Sequence, residues 1–124
     1  MTQYWVVGAM WGGYDDQSDV FLRRGYWFLG YDDSDQPDQA ARRAQIQPGD
    51  RIAIKRMLGQ GSPNIEIRAI GIVREIDTDD NRVYVDWVLD LRNENRIVNS
   101  KGCYKSVHGP FPPDDPWTNE VFRI

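Results

Sequence analysis

The chain has 124 residues, 40% of them hydrophobic and 27% charged, and a formal net charge of −4 at pH 7. These totals predict one globular domain, residues 1–124, with its own core. They argue against a protein that coats nucleic acid non-specifically, because that mode of binding needs a basic surface. The chain has one cysteine, no apolar run near the ~20 residues of a membrane span and no signal-peptide pattern at its start. We therefore expect a cytoplasmic protein with no membrane partner.

Apolar periodicity, caps and breakers predict four elements in the first part of the chain. They are a central strand over residues 4–9, a helix over 17–24, a short strand over 26–30 and a helix from 37 to about 45. Asp15 or Asp16 can cap the first helix, and Gly25 can end it. Pro37 suits the first turn of the second helix.

Residues 47–76 organise the middle of the chain. Pro48-Gly49-Asp50 is a turn signal, and it begins a strand in which Ile52 and Ile54 alternate with other residues. A glycine-containing turn leads to a second strand from residue 65, where Gly71 indicates a bulge or a close backbone approach. A third strand over residues 82–89 completes a meander. The pattern predicts an α+β fold built on a small barrel or a strongly curled sheet.

The signal weakens beyond residue 91. We expect residues 92–99 to form a loop with some extended structure. We expect residues 100–111 to form a last short strand or an ordered loop. Three prolines then precede a closing helical turn over residues 117–124, which would dock Trp117 in the core.

Charge is distributed unevenly along this acidic chain. Residues 14–38 hold seven acids against two arginines, whereas residues 39–76 hold seven bases against three acids. A basic middle in an acidic protein is typical of a local face for an anionic ligand. Solvated strand edges and helix faces would give the same pattern.

Constellations for enzymatic chemistry are sparse. The only histidine, His108, and the only cysteine, Cys103, could form a thiolate–base pair if the fold brings them together. The alternative is a loop histidine and a buried thiol. These two residues cannot build a zinc site of four protein ligands, so we expect no metal and no cofactor. Gly59-Gln60-Gly61 lacks the Lys-Ser/Thr of a phosphate loop, and Asp32-Asp33-Ser34-Asp35 lacks the glycine and final glutamate of an EF-hand loop.

Aromatic residues are numerous, with five tryptophans and six tyrosines. A pocket for a flipped base needs rigid aromatic side chains at strand ends, next to small residues that admit the base. The sequence supplies such groups at Trp11 beside Gly12 and Gly13, at Trp27 beside Tyr26, and at Trp87 on the third strand of the meander. Core packing is the alternative for each of them, and we assign Trp5 to the core because it lies inside an apolar strand.

The order of these elements resembles the EVE domains and, more loosely, the YTH and ASCH domains of the PUA-like superfamily. The matching stretch covers residues 4–88. Its most specific pieces are Pro48-Gly49-Asp50 with its strand, Ala69-Gly71-Val73-Glu75, and Trp27. The resemblance implies a PUA-like barrel of five or six strands with short helices around it. It also implies a pocket for a nucleobase, often a modified one, that is flipped out of DNA or presented by single-stranded RNA.

In such domains a cage tryptophan lies on the short strand after the first helix, which Trp27 matches, and Trp87 is the nearest equivalent of a second aromatic wall. The loop after the first strand would contribute Ala9, Met10 and Trp11. This loop differs from the more polar segment of the family, so the identity of the base stays open. Related domains are fused to the motors of modification-dependent restriction systems, which implies a role in prokaryotic defence.

The leading hypothesis is a non-catalytic reader of a modified base in nucleic acid, with a fused or associated nuclease or motor as effector. The base pocket would comprise Met10, Trp11, Tyr26, Trp27 and Trp87, and the phosphate-facing group Arg51, Lys55, Arg56 and Arg68. The alternatives are an RNA-binding PUA-like domain, a protein or small-ligand module with the same pocket, and a hydrolase or nuclease that uses Cys103 or His108.

Overall fold

The computed structural model describes residues 2–11, 14–30, 34–59 and 61–124. Its strands are β1 (Tyr4–Gly8), β2 (Met10–Trp11), β3 (Asp15–Asp16), β4 (Tyr26–Trp27), β5 (Arg51–Met57), β6 (Asn64–Asp77), β7 (Arg82–Asp90), β8 (Arg96–Asn99) and β9 (Val107–Phe111). Its helices are α1 (Ser18–Arg24), α2 (Pro37–Arg43) and α3 (Pro116–Phe122). The expectations for Gly12, Gly13, Asp32, Asp33 and Gln60 fall outside the described residues.

The main sheet has seven strands in the order β4-β7-β6-β5-β1-β9, with β8 paired to the first part of β6. β1 and β5 run parallel, and the other pairs are antiparallel. The predicted α+β class is therefore confirmed. Within the described ranges the outer strands β4 and β9 do not pair with each other, so the sheet is not closed into a barrel, and its seven strands exceed the expected five or six.

The predicted meander is confirmed as β5-β6-β7. The register shifts between Ile70 and Gly71, as the sequence indicated. A Cβ atom at Gly71 would lie 2.3 Å from Val85 Cγ1 and 2.8 Å from a ring carbon of Trp87. Glycine is therefore required here because neighbouring side chains fill the space directly above its backbone.

Both faces of the sheet are buried, because successive residues of its central strands enter different cores. Trp5 and Val7 of β1 join one core with Phe21 of α1, whereas Val6 joins a second core with Val121 of α3. The sheet thus lies between two layers, one containing α1 and the other containing α3.

The helices form close to where the sequence predicts them. The N–H of Ser18 donates to Asp16 Oδ1 at 2.9 Å, and Gly25 ends α1 with a left-handed φ of 76°. The short strand after α1 ends at Trp27 rather than at residue 30. Phe28 leaves the sheet there and packs edge-on against Phe21 and Trp11, with ring centroids 5.5 and 5.2 Å apart.

The Pro48-Gly49-Asp50 turn ties the start of the chain to β5. Asp50 is only 3% exposed and accepts three hydrogen bonds. They come from the N–H of Gln3 (3.1 Å), the indole N–H of Trp5 (3.0 Å) and the N–H of Gln47 (2.9 Å). This buried carboxylate therefore sets the position of β1 against β5.

Candidate functional site

A cleft opens where the two parallel strands end. Gly8, the last residue of β1, lies opposite Lys55 of β5, so the carboxyl ends of both strands reach the same edge of the sheet. A cavity of about 380 Å³ lies there and is lined by Gly8, Met10, Lys55, Arg56, Tyr104 and Lys105, among others. We call this part the basic end of the cleft, because three of these side chains are cations.

A second cavity of about 170 Å³ adjoins the first. The two share Gly8, Met10 and Ser106 as lining residues, so they are neighbouring parts of one cleft. The second part is walled by Trp11, Phe28, Leu29 and Gly30. We call it the aromatic end of the cleft.

Trp11 is held in place by two aromatic rings and one glycine. It contacts Phe28 and Phe21 edge-on, with centroids 5.2 and 6.0 Å apart. A Cβ atom at Gly30 would lie 2.5 to 2.6 Å from three atoms of the Trp11 indole. The indole therefore rests directly on the Gly30 backbone, and it remains partly exposed to the cleft.

Lys55 is the most buried cation of the basic end, with 6% of the residue exposed. Across the described ranges its ammonium makes no hydrogen bond and no ion pair. Burial lowers the pKa of Lys55, and the thiol of Cys103 opposes that change only in part.

The other two cations of the basic end have acidic neighbours. Arg56 Nε lies 3.8 Å from Glu66 Oε1, and Glu66 also pairs with Arg68 at 3.7 Å. Lys105 Nζ lies 3.5 Å from Asp38 Oδ2, and both side chains are exposed. Of the three cations, only Lys55 lacks an acidic partner among the residues that the structure describes.

Cys103 and His108 lie close enough to Lys55 for its charge to act on both of them. Cys103 is fully buried, and burial raises the pKa of its thiol to about 11. Burial, with a smaller effect from the charge of Lys55, lowers the pKa of His108 to about 4. A nucleophilic cysteine needs a lowered pKa, so this pair does not supply a thiolate. The described part of the chain also holds no group of three or more His, Cys, Asp or Glu side chains that could bind a metal.

His108 should make stability depend on pH in the acidic range. Its Nε2 accepts a hydrogen bond from the N–H of Lys105 at 2.8 Å, which requires the neutral ring. Because the folded pKa of about 4 lies below the ordinary 6.5, the unfolded chain binds the proton first as the pH falls. We expect a loss of about 1–2 kcal/mol in unfolding free energy between these pH values, after allowance for solvent screening.

Urea unfolding at a series of pH values measures this loss, with His108→Gln as the control. Glutamine can accept the same hydrogen bond but does not titrate. An unchanged pH slope in His108→Gln would show that another group is responsible.

The structure distributes the sequence-predicted site residues over several places. Met10, Lys55 and Arg56 line the basic end of the cleft, and Met10 and Trp11 line the aromatic end. Trp27 is fully buried and donates its indole N–H to the carbonyl of Gly8 at 2.8 Å, so it has no surface to offer a ligand.

The remaining predicted residues lie outside the walls of this cleft. Trp87 donates its indole N–H to the carbonyl of Phe21 at 2.9 Å, and Tyr26 packs on Phe21. Arg51 is at the opposite end of β5, next to a separate groove. Arg68 is mostly buried between Glu66 and Asp16, at 3.7 and 3.9 Å. The three candidate tryptophans therefore do not form one cage.

Sequence reasoning missed several walls of the cleft, among them Phe28, Gly30, Tyr104, Lys105 and Ser106. Phe28 and Gly30 fall within the strand predicted over residues 26–30, where the glycine is a signal for a close contact. Tyr104, Lys105 and Ser106 lie in a segment without periodicity. Only the fold shows that it passes the ends of β1 and β5.

No protein-family model matches this chain, and neither the curated proteins nor the solved structures contain a match to it. The resemblance to EVE domains therefore stays a proposal. Over residues 2–11, 14–30, 34–59 and 61–124, no helix has the length and apolar character needed to cross a membrane.

Proposed function

We propose that this protein is a non-catalytic nucleic-acid-binding module and that its cleft holds one nucleotide unit at a time. The observation that carries the proposal is the junction of the two ends of the cleft. Partly exposed Trp11 and Phe28 wall one part, and Lys55, Arg56 and Lys105 line the adjoining part. This arrangement suits a base stacked at the aromatic end with its phosphate at the basic end.

The division of roles follows from general features of nucleic-acid recognition. Phosphate contacts position a strand, and contacts with the base provide specificity. Stacking of one base on an aromatic side chain contributes ~1–3 kcal/mol. The aromatic end has a volume of only about 170 Å³, which favours a single base that is flipped out of a duplex or presented by a single strand.

The resemblance to EVE-like and other PUA-like domains gives this proposal its narrower form. In that form the base is a modified one, the nucleic acid is DNA, and the module serves prokaryotic defence together with a nuclease or motor. An RNA-binding PUA-like domain is the alternative within the same class. The pocket proposed here keeps Met10 and Trp11 from the sequence prediction, adds Phe28 as a wall, and omits Tyr26, Trp27 and Trp87.

A free nucleotide or a similar small ligand is the second candidate, and the charge of the whole chain favours it. The net charge of −4 opposes a long polyanion but not a small molecule within the cleft. Salt dependence separates the two candidates. Binding of a strand through several phosphates weakens steeply with salt, whereas binding of a small ligand with one or two charges does not.

The test of the proposed function is a titration with labelled oligonucleotides, followed by fluorescence anisotropy. Duplexes with methylated or hydroxymethylated cytosine or methylated adenine are compared with unmodified duplexes and with single-stranded RNA. We expect saturable binding with a preference for one modification. Absence of binding to every oligonucleotide would overturn the proposal and favour a small ligand.

Two substitutions at the aromatic end, one of Trp11 and one of Gly30, should both weaken ligand binding. Trp11→Ala should weaken binding about 5- to 150-fold, the equivalent of ~1–3 kcal/mol of stacking. Gly30→Ala should weaken it as well, because the new methyl group displaces the Trp11 indole while the tryptophan itself is retained. The backbone of Gly30 is not left-handed, so alanine fits its conformation. Trp11→Phe is the control and should retain most of the affinity. Equal affinity in Trp11→Ala and wild type would rule out stacking on Trp11.

A further inference from the structure

We propose that the Lys55 ammonium binds one monoanionic phosphate group inside the cleft, and that this ligand supplies the negative charge that the protein itself does not provide. The identification of the anion as the phosphodiester of a bound strand rests on the proposed function. The existence of the anion site rests on the surroundings of Lys55 alone.

The first argument is that no described residue compensates the positive charge of Lys55. An ammonium that leaves water loses favourable hydration, and proteins normally restore it with an acidic partner or several acceptors. Lys55, with 6% of the whole residue exposed, retains little contact with water and has neither kind of partner among the described residues. It nevertheless lines the basic end of the cleft, so its charge is accessible from there and not from the core.

The second argument is the character of the groups that face Lys55 from each neighbouring element. The opposite residue on β1, Gly8, has no side chain, and its Cβ position would be 3.5 Å from Lys55 Nζ. On β9, His108 has its pKa lowered to about 4, and in the preceding loop Cys103 has its pKa raised to about 11. Both are therefore neutral at neutral pH. On β6, Glu66 pairs with Arg56 and Arg68 rather than with Lys55.

The third argument is the number of charges. Arg56 and Arg68 together face two acids, Glu66 and Asp16, and Lys105 has Asp38. Lys55 is thus the one cation of the basic end whose charge is not matched by a described acid. One unmatched positive charge fits one negative charge, which is the charge of a phosphodiester rather than the near two charges of a phosphate monoester. Arg56 and Lys105 would then orient the bound phosphodiester at the entrance of the basic end.

The closing experiment compares wild type with Lys55→Met, which keeps the length of the side chain and removes its charge. Each is titrated with a short single-stranded oligonucleotide and with the same sequence on an uncharged methylphosphonate backbone. In wild type we expect the charged backbone to bind at least about tenfold more tightly. In Lys55→Met this preference should shrink several-fold, because the ammonium that would attract the charged backbone is gone. Lys101→Met, which removes a lysine that pairs with Asp115 outside the cleft, should behave as wild type.

A thermal unfolding series tests the anion site without any oligonucleotide. Lys55→Met should raise the Tm by roughly 3–8 °C, because an uncompensated buried charge is replaced by an apolar side chain. Millimolar inorganic phosphate should raise the Tm of wild type and leave that of Lys55→Met unchanged. Near neutral pH part of this phosphate is monoanionic, so it is a suitable probe.

The outcomes separate this inference from the proposed function. If oligonucleotides do not bind but phosphate stabilises wild type and not Lys55→Met, the anion site stands and the proposed function fails. If oligonucleotides bind and Lys55→Met retains the full preference for the charged backbone, the proposed function stands and this inference is overturned. It is also overturned if Lys55→Met loses stability and responds to phosphate as wild type does.

Discussion

Trp27→Ala is expected to lower the free energy of unfolding by about 3–5 kcal/mol. Trp27 is fully buried, so alanine leaves a large cavity in the core that contains α1. The change also removes the hydrogen bond from the indole N–H to the carbonyl of Gly8 at 2.8 Å. Chemical denaturation of wild type and variant measures the difference, with the m-values compared to confirm that both transitions are two-state.

Trp27→Phe separates the two contributions of this residue. Phenylalanine retains most of the buried ring but cannot donate to Gly8, so it should cost about 1–3 kcal/mol. Because Gly8 lines both ends of the cleft, the same variant should also weaken ligand binding, although Trp27 itself does not touch the ligand. A fully stable Trp27→Ala protein would contradict the placement of this side chain in the core.

Asp50→Ala should destabilise the protein by at least about 3 kcal/mol, since each buried donor left without an acceptor costs about 1–3 kcal/mol. The substitution leaves three donors without an acceptor in a buried place, namely the N–H groups of Gln3 and Gln47 and the indole N–H of Trp5. Each of these three donors adds the free-energy cost of a buried N–H group without an acceptor. The position of β1 against β5 should loosen as a consequence, which hydrogen exchange of the amides of β1 would detect.

Asp50→Asn is the matched control for this prediction. The amide retains one oxygen acceptor in the same place and can serve one or two of the three donors. We expect its loss of stability to lie between those of wild type and Asp50→Ala. Equal stability of Asp50→Ala and wild type would mean that water replaces the carboxylate, and the turn would then not depend on Asp50.

Local signals in the sequence predicted the elements of the fold well. The meander of β5, β6 and β7, the bulge at Gly71, and α1 with its final Gly25 all depend on neighbours in sequence, and the structure shows each of them. The parallel pairing of β1 with β5 and the position of β9 beside β1 depend on long connections. Periodicity carries no information on such connections, so the number of strands and the open sheet were not predicted.

The candidate site was predicted in part. The basic stretch of the sequence predicts Lys55 and Arg56 as phosphate contacts, and both line the cleft. The sequence does not decide among the tryptophans, because an aromatic side chain at a strand end suits a core and a pocket equally well. Trp27 lies in the core, and Trp11 lies in the cleft. What separates them is a contact distant in sequence, the Trp11 indole on Gly30.

The place of β1 between β5 and β9 has a consequence for biosynthesis. Val7 of β1 pairs with Val107 of β9, which is synthesised about 100 residues later. Until then one edge of an apolar strand has no partner, and such edges are sites of aggregation. Contacts of this kind also slow folding, because a long loop must close before they form. The sheet is therefore expected to be completed only once β9 has been synthesised, and until then the open edge of β1 needs protection from pairing with other chains.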